Sequence, residues 1–211
     1  MKLTVLGATG ATGTSLVSQA LASGHEVTAI VRDPARLTIL GHPRLRVLTV
    51  DVMDPVALSP ALTGADAISS AIGPRGTGPT TIIEDSVRSI IAAMEKAGVR
   101  RFLEVSGSVV TDEGESPYLR YLLKPVARRT FLRHVCADMR RAEEEIRHSG
   151  LDWTIVRPPA LTGRAASGAY RTAMDRNLPH GFTVSRADLA ACMLSLVDDP
   201  AAVHRHVAIA A

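Results

Sequence analysis

Aromatic residues make up only 3% of this 211-residue chain, and lysine is scarcer still, since arginine supplies 21 of the 24 basic side chains. So few aromatics leave no stacking platform for the bases of a nucleic acid strand. The net charge is only +3 and the basic residues are scattered, so nucleic acid is not an expected partner. Cysteine occurs twice, at Cys136 and Cys192, in neither metal nor redox spacing. That argues against a disulfide framework and for a reducing, cytoplasmic setting. No apolar run approaches the about 18 residues of a membrane span, and the short run after Lys2 is too brief for a targeting segment. With no internal repeat and no low-complexity linker, the length suits one domain over residues 1–211.

What the chain does have is a glycine pattern at its start, Lys2–Gly13. The apolar residues Leu3, Val5 and Leu6 stop at Gly7, and glycines recur at Gly10 and Gly13. A helical stripe follows at Gly13, Leu16, Val17, Ala20 and Leu21. Strand, tight turn and helix leave backbone N–H groups unpaired at a helix N-terminus, where the helix dipole favours an anion. Gly7 permits the turn, Gly10 allows a pyrophosphate close to the backbone, and Gly13 lets helix and strand pack closely. Ala8, Thr9, Ala11 and Thr12 complete this candidate dinucleotide turn, with Thr9, Thr12 and Thr14 offering hydroxyls beside the anion.

Further strands are expected at Glu26–Val31, Leu45–Val50, Asp66–Ser70, Arg101–Val105, Leu151–Arg157 and His206–Ala210. Helices are expected at Ile82–Lys96, ended by Gly98, at Asp138–Ser149, and after Ser185, which caps a stripe of Leu189, Cys192, Met193, Leu196 and Val197. Glu143–Glu145 face mostly outward in this scheme, Cys192 and Trp153 inward. Alternation of strands and helices argues for an α/β chain of Rossmann type, doubly wound around a mostly parallel sheet. Its ligand crevice lies across the carboxyl ends of the strands, where Gly7, Arg32, Asp51, Gly73, Ser106 and Pro158 all fall. At the second strand end, an acid suits the ribose hydroxyl of NAD and an arginine the 2′-phosphate of NADP. Arg32 stands there with Arg36 one turn on, so NADP(H) is favoured over NAD(H), although Asp33 next door suits NAD. Asp54-Pro55 reads as a helix start, with Asp54 a cap rather than a ligand. Ala71, Ile72 and Gly73 are small or apolar enough for the cofactor ribose to lie against backbone. Two segments with little pattern, about 107–136 and 160–184, are expected to form the substrate side.

The Gly-Ala-Thr-Gly-Ala-Thr-Gly run at 7–13 resembles the extended and atypical branches of the short-chain dehydrogenase/reductase superfamily. The run Ser149–Pro159 is similar to the NAD(P)H-binding atypical branch. This resemblance implies that Asp51 and Val52 face the adenine ring. Pro158 and Pro159 cannot continue a ladder, so the chain turns there over the nicotinamide end, with Arg157 and Pro158 as candidate cofactor contacts. It also implies that Ser106 orients or protonates a substrate oxygen, although Ser106 equally fits an ordinary turn-forming serine. The superfamily's Tyr-x-x-x-Lys is missing: Arg120 stands four residues before Lys124, with Tyr121 three before and Tyr118 six before. Tyr121 and Tyr118 are therefore second candidates for the proton donor. The short-chain biliverdin/flavin reductases also lack the pair, but their functional histidine aligns near Glu143 and does not carry over.

Three functions follow from this pattern. One is an NADPH-dependent reductase of a small organic acceptor, such as a flavin, quinone, tetrapyrrole or enone. Another is a non-catalytic dinucleotide sensor, similar to the repressor-type relatives. The third is a redox-neutral epimerase, dehydratase or isomerase with retained cofactor. The expected partner is a small molecule, with neither nucleic acid nor membrane, and the chain a monomer or homodimer.

Overall fold

Short runs of valine, leucine, isoleucine and alanine set the strands, and both faces of the central ones are covered, which is why they read as almost unbroken apolar segments. The computed structural model describes residues 1–39, 41–74, 76, 78–114, 129 and 132–211. Seven strands run parallel: β1 (Lys2–Leu6), β2 (Glu26–Val31), β3 (Leu45–Thr49), β4 (Ala67–Ser70), β5 (Arg101–Val105), β6 (Asp152–Arg157) and β10 (Arg205–Ala210). An eighth, β8 (Arg171–Met174), closes one edge antiparallel to β10. Their order is β3-β2-β1-β4-β5-β6-β10-β8. β7 (Ala160–Thr162) and β9 (Thr183–Ser185) pair separately.

Helices cover both faces. α1 (Ala11–Ala22) and α5 (Arg186–Val197) pack on the side of Leu3, Val5, Leu103, Val156 and Val207. On the other side α2 (Pro55–Leu62), α3 (Ile82–Ala97) and α4 (Arg133–His148) cover Leu6, Ile30, Ile68, Phe102 and Ile155. The fold is the expected Rossmann-type α/β arrangement, with the chain reversing direction of winding between β1 and β4.

Local chemistry explains the helix ends. Asp54 Oδ1 accepts from the N–H groups of Val56 and Ala57 and starts α2, as its sequence context indicates. Ser185 Oγ accepts from the Asp188 N–H and starts α5. At the far end of α5, Arg101 from β5 donates to the carbonyls of Leu196 and Val197, a cation placed on the negative end of the helix.

Three details differ from the sequence pattern. α4 begins at Arg133 rather than Asp138, because Val135 and Cys136 are buried and extend its apolar stripe by a turn. Asp138 is consequently interior to α4 and fully buried, and its carboxylate accepts from the Ile83 and Glu84 N–H groups that open α3. Residues 160–184 carry three short strands where only an irregular excursion was expected.

Candidate functional site

The turn after β1 is built from close backbone contacts. Gly7 has a φ of +73°, a conformation costly for any residue with a side chain. A Cβ on Gly13 would lie 2.2 Å from the Gly7 carbonyl oxygen, so α1 can approach β1 only because this position is glycine. Gly10 opens α1 with no side-chain cap, and the first N–H groups of the helix have no intrahelical acceptor.

That turn faces a groove of about 450 Å³ at the point where β1 and β4 diverge. Gly7, Thr9, Gly10 and Ala11 form its floor, Arg32 and Arg36 one rim, Asp51 and Val52 the next strand end, and Ala71, Ile72 and Gly73 the opposite side. Sequence reasoning missed Met53, Pro74 and Ile82, which also line it and which no motif marks. Arg32 and Arg36 are exposed. Asp33 between them does not line the groove, and its carboxylate accepts from the Ala35 N–H. Asp51 is likewise anchored, accepting from the Met53 N–H at 3.0 Å, while still facing the groove.

Other candidates lie elsewhere. Ala8 is buried under the turn, and Thr12 and Gly13 do not line the groove. Thr14 cannot offer its hydroxyl to an anion as expected, because it donates to the Ala8 carbonyl. Ser106 and Pro158 sit at the ends of β5 and β6 but outside the groove lining, and the Pro158 carbonyl accepts from the Ser108 N–H. The Ser106 hydroxyl is enclosed. Tyr118 and Tyr121 lie outside the described residues, as does Lys124.

Arg157 is the clearest departure. Its guanidinium turns away from the groove and forms a two-point ion pair with Glu143 of α4, Nη2 to Oε2 at 2.5 Å and Nε to Oε1 at 3.0 Å. Both side chains are buried, so Glu143 faces inward rather than outward. A charge-assisted fork of this kind satisfies two groups that would each be costly alone. Next to it His206 of β10 stands 3.8 Å from Glu143 and packs edge-on against Trp153. Burial, then the Arg157 charge, hold His206 below its ordinary pKa. Glu104 of β5 is also buried, and burial pushes its carboxyl well above the usual carboxylate range, with Glu143 adding to the rise and Ser70 opposing it. Its position had no signal in a motif: only an acid inside an apolar strand marked it.

A family model described as NAD(P)H-binding matches residues 7–200. The chain belongs to the NAD(P)H-binding family. Its architecture is shared with short-chain dehydrogenase/reductase structures, among them one of the wide type from Veillonella parvula solved in complex with NADP, with a TM-score of 0.84, 19% identity, and 100% of this chain and 94% of that one covered. A proposed epimerase from Bacteroides thetaiotaomicron is 28% identical with a TM-score of 0.82, over 99% of this chain and 96% of that one. The photosystem II assembly factor Ycf39 of Synechocystis is 32% identical over 49% of this chain, a match that spans only 32% of that relative's length. Among the described residues no helix is long and apolar enough to cross a membrane.

Proposed function

We propose that this family member is an NADPH-dependent reductase that transfers hydride to a small organic acceptor such as a flavin, quinone, tetrapyrrole or enone. The observation that carries this reading is the glycine turn opening onto the groove at the β1/β4 divergence. The N–H groups at the start of α1 would hold the pyrophosphate, Asp51 and Val52 the adenosine end, and the backbone at Ala71–Gly73 a ribose. Arg32 and Arg36 favour the 2′-phosphate of NADP(H), since both face the groove while the competing Asp33 is occupied with the backbone of Ala35. When bound, the coenzyme supplies the hydride, and the chain supplies alignment and a proton.

A second reading, a dinucleotide sensor without turnover, is favoured by the first turns of α4, where the superfamily's Lys would fall near Met139–Arg140 and no Tyr precedes it. The name of Ycf39, an assembly factor, fits that reading as well. Calorimetric titration with NADPH and NADH, followed by absorbance of the reduced coenzyme with FMN, menadione or dichlorophenolindophenol, separates the two. Oxidation of NADPH with one of these acceptors is the expected result. Firm binding with no oxidation across the panel would move the case to the sensor. Absence of heat with either coenzyme would remove both.

A further inference from the structure

Glu104 lies outside the nucleotide groove, and its surroundings form a level row across the sheet. In the parallel ladder Ser70 of β4 is its partner on one side and Ile155 of β6 on the other, and His206 of β10 is the partner of Ile155. Ser106 follows β5 directly, two residues on from Glu104, and its N–H still bonds the Val156 carbonyl of β6, so the strand's alternation places it on the same side as Glu104. α4 covers this face with Glu143, which grips Arg157 and approaches His206. The row thus runs from Ser106 at the crevice end of β5, through Glu104 and Glu143, to His206 beside Asp175, which is 45% exposed.

The polar atoms along it are starved of partners. The Ser106 hydroxyl and Nε2 of His206 are buried without a hydrogen bond among the described residues, and the buried carboxyl of Glu104 has at most the neighbouring Ser70 hydroxyl to bond. A carboxylate in such a place would be an unpaired buried charge next to the Glu143 carboxylate, whereas a carboxylic acid is tolerated and can donate. Arg157 is clamped to Glu143 through both of its carboxylate oxygens. His206 Nδ1 stands 3.7 Å from Asp175 Oδ1 and Nε2 3.8 Å from Glu143 Oε2, so the imidazole lies between the two carboxylates. The groups facing His206 are Arg157, Glu143, Asp175 and Arg147.

We propose that Glu104 is the proton reservoir of the site, passing its proton to Ser106 during reduction and refilled from solvent by way of Asp175, His206 and Glu143. This rests on the reductase reading above. As hydride forms the new C–H bond, the π pair of the acceptor moves onto its oxygen or nitrogen. For that atom to take the proton of Ser106 Oγ the enclosed hydroxyl must turn toward the acceptor; Ser106 then takes the proton of Glu104 Oε, leaving a carboxylate beside Glu143. The repulsion between the two carboxylates then draws in a proton through His206, which restores the acid. One solvent proton and one hydride are consumed per acceptor reduced, and no other reagent is needed.

Infrared spectroscopy of the full chain at neutral pH tests the reservoir without turnover. The C=O band of a protonated carboxylic acid is expected in the wild type and should vanish in Glu104→Gln. A wild type lacking the band, or a variant retaining it, overturns the proposal. With an acceptor that the panel identifies, Glu104→Gln should lower kcat by about a hundredfold with little change in KM for NADPH. His206→Ala should slow turnover in weak buffer and recover with added imidazole. Unchanged kcat in Glu104→Gln across the pH range would overturn the relay. NADPH binding without turnover by any acceptor, with the band still lost in the variant, would instead sink the reductase reading and leave the buried acid standing. Glu104→Leu, which keeps the packing without the polar atoms, checks that a loss of rate does not come from misfolding.

Discussion

The two halves of the sheet's carboxyl end are made of different material. From β3 to β4 the groove is shaped by backbone: a left-handed glycine, a helix start without a cap, and short side chains at the strand ends. From β5 to β10 the same level of the sheet is filled by ionisable side chains, Glu104, Glu143 and Arg157 buried and His206 half-buried. A backbone-built surface suits a ligand that many related chains bind alike. A side-chain cluster suits whatever is particular to one of them, because each member can be exchanged singly. The comparison predicts that substitutions on the two sides fail in different ways.

The largest effect should come from Glu143→Ala on the charged side. It leaves the Arg157 guanidinium buried without its partner, and an arginine cannot shed its charge. A loss of about 3–5 kcal/mol is expected in urea unfolding. Arg157→Ala should cost less, since the remaining Glu143 can take up a proton. Equal losses from the two would show that packing rather than charge dominates this cluster.

The pH dependence of stability sharpens the same point. A carboxyl whose pKa is raised on folding stabilises most below its unfolded value and loses that contribution as pH rises toward the folded value. Glu104 is such a group, because burial raises it well above the carboxylate range. Above about pH 4.3 the folded chain therefore holds a proton the unfolded chain releases, and stability falls by up to about 1.4 kcal/mol per pH unit. Glu104→Gln lacks that slope, so unfolding midpoints at pH 5, 6 and 7 should move in favour of the variant as pH rises. Parallel curves for wild type and variant would mean that Glu104 titrates normally.

On the backbone side Gly13→Ala places a methyl 2.2 Å from the Gly7 carbonyl oxygen, and backbone cannot rotate away as a side chain does. About 3 kcal/mol of stability should be lost. Gly10→Ala meets only the same oxygen at 3.2 Å, so it should fold nearly normally and lose coenzyme affinity instead. Arg32→Ala should leave folding intact and weaken NADPH by about 1–3 kcal/mol, with NADH little changed. Equal weakening of both coenzymes in calorimetry would remove the 2′-phosphate assignment.

The contrast also explains what could be read from the chain alone. β2 and β5 fall at Glu26–Val31 and Arg101–Val105 as expected, because apolar runs closed by turn residues mark strands locally. The Asp54 and Ser185 caps are legible for the same reason, since their acceptors bond N–H groups two or three residues away. The inward turn of Glu143 on α4 is not legible, because its partner, Arg157, lies 14 residues on in β6. Asp138 bonds N–H groups 54 and 55 residues away, a relation no local pattern carries. β7, β8 and β9 are three or four residues long, too short to show alternation.

The smallest expected effect distinguishes two acids that sit side by side at the end of β3. Asp54 caps α2 through two N–H groups and does not line the groove, whereas Asp51 spends one bond on the Met53 N–H and faces the groove. Removing a helix cap costs about 1 kcal/mol, so Asp54→Ala should lower stability by that amount and leave coenzyme binding as it is. Asp51→Ala loses a single exposed turn bond and should fold almost as well, while its coenzyme affinity falls. Paired unfolding and calorimetric titrations of the two variants read both quantities. If Asp54→Ala weakened the coenzyme as much as Asp51→Ala, the end of β3 would act on the ligand through the placement of α2, and the division between a supporting acid and a binding acid would be lost.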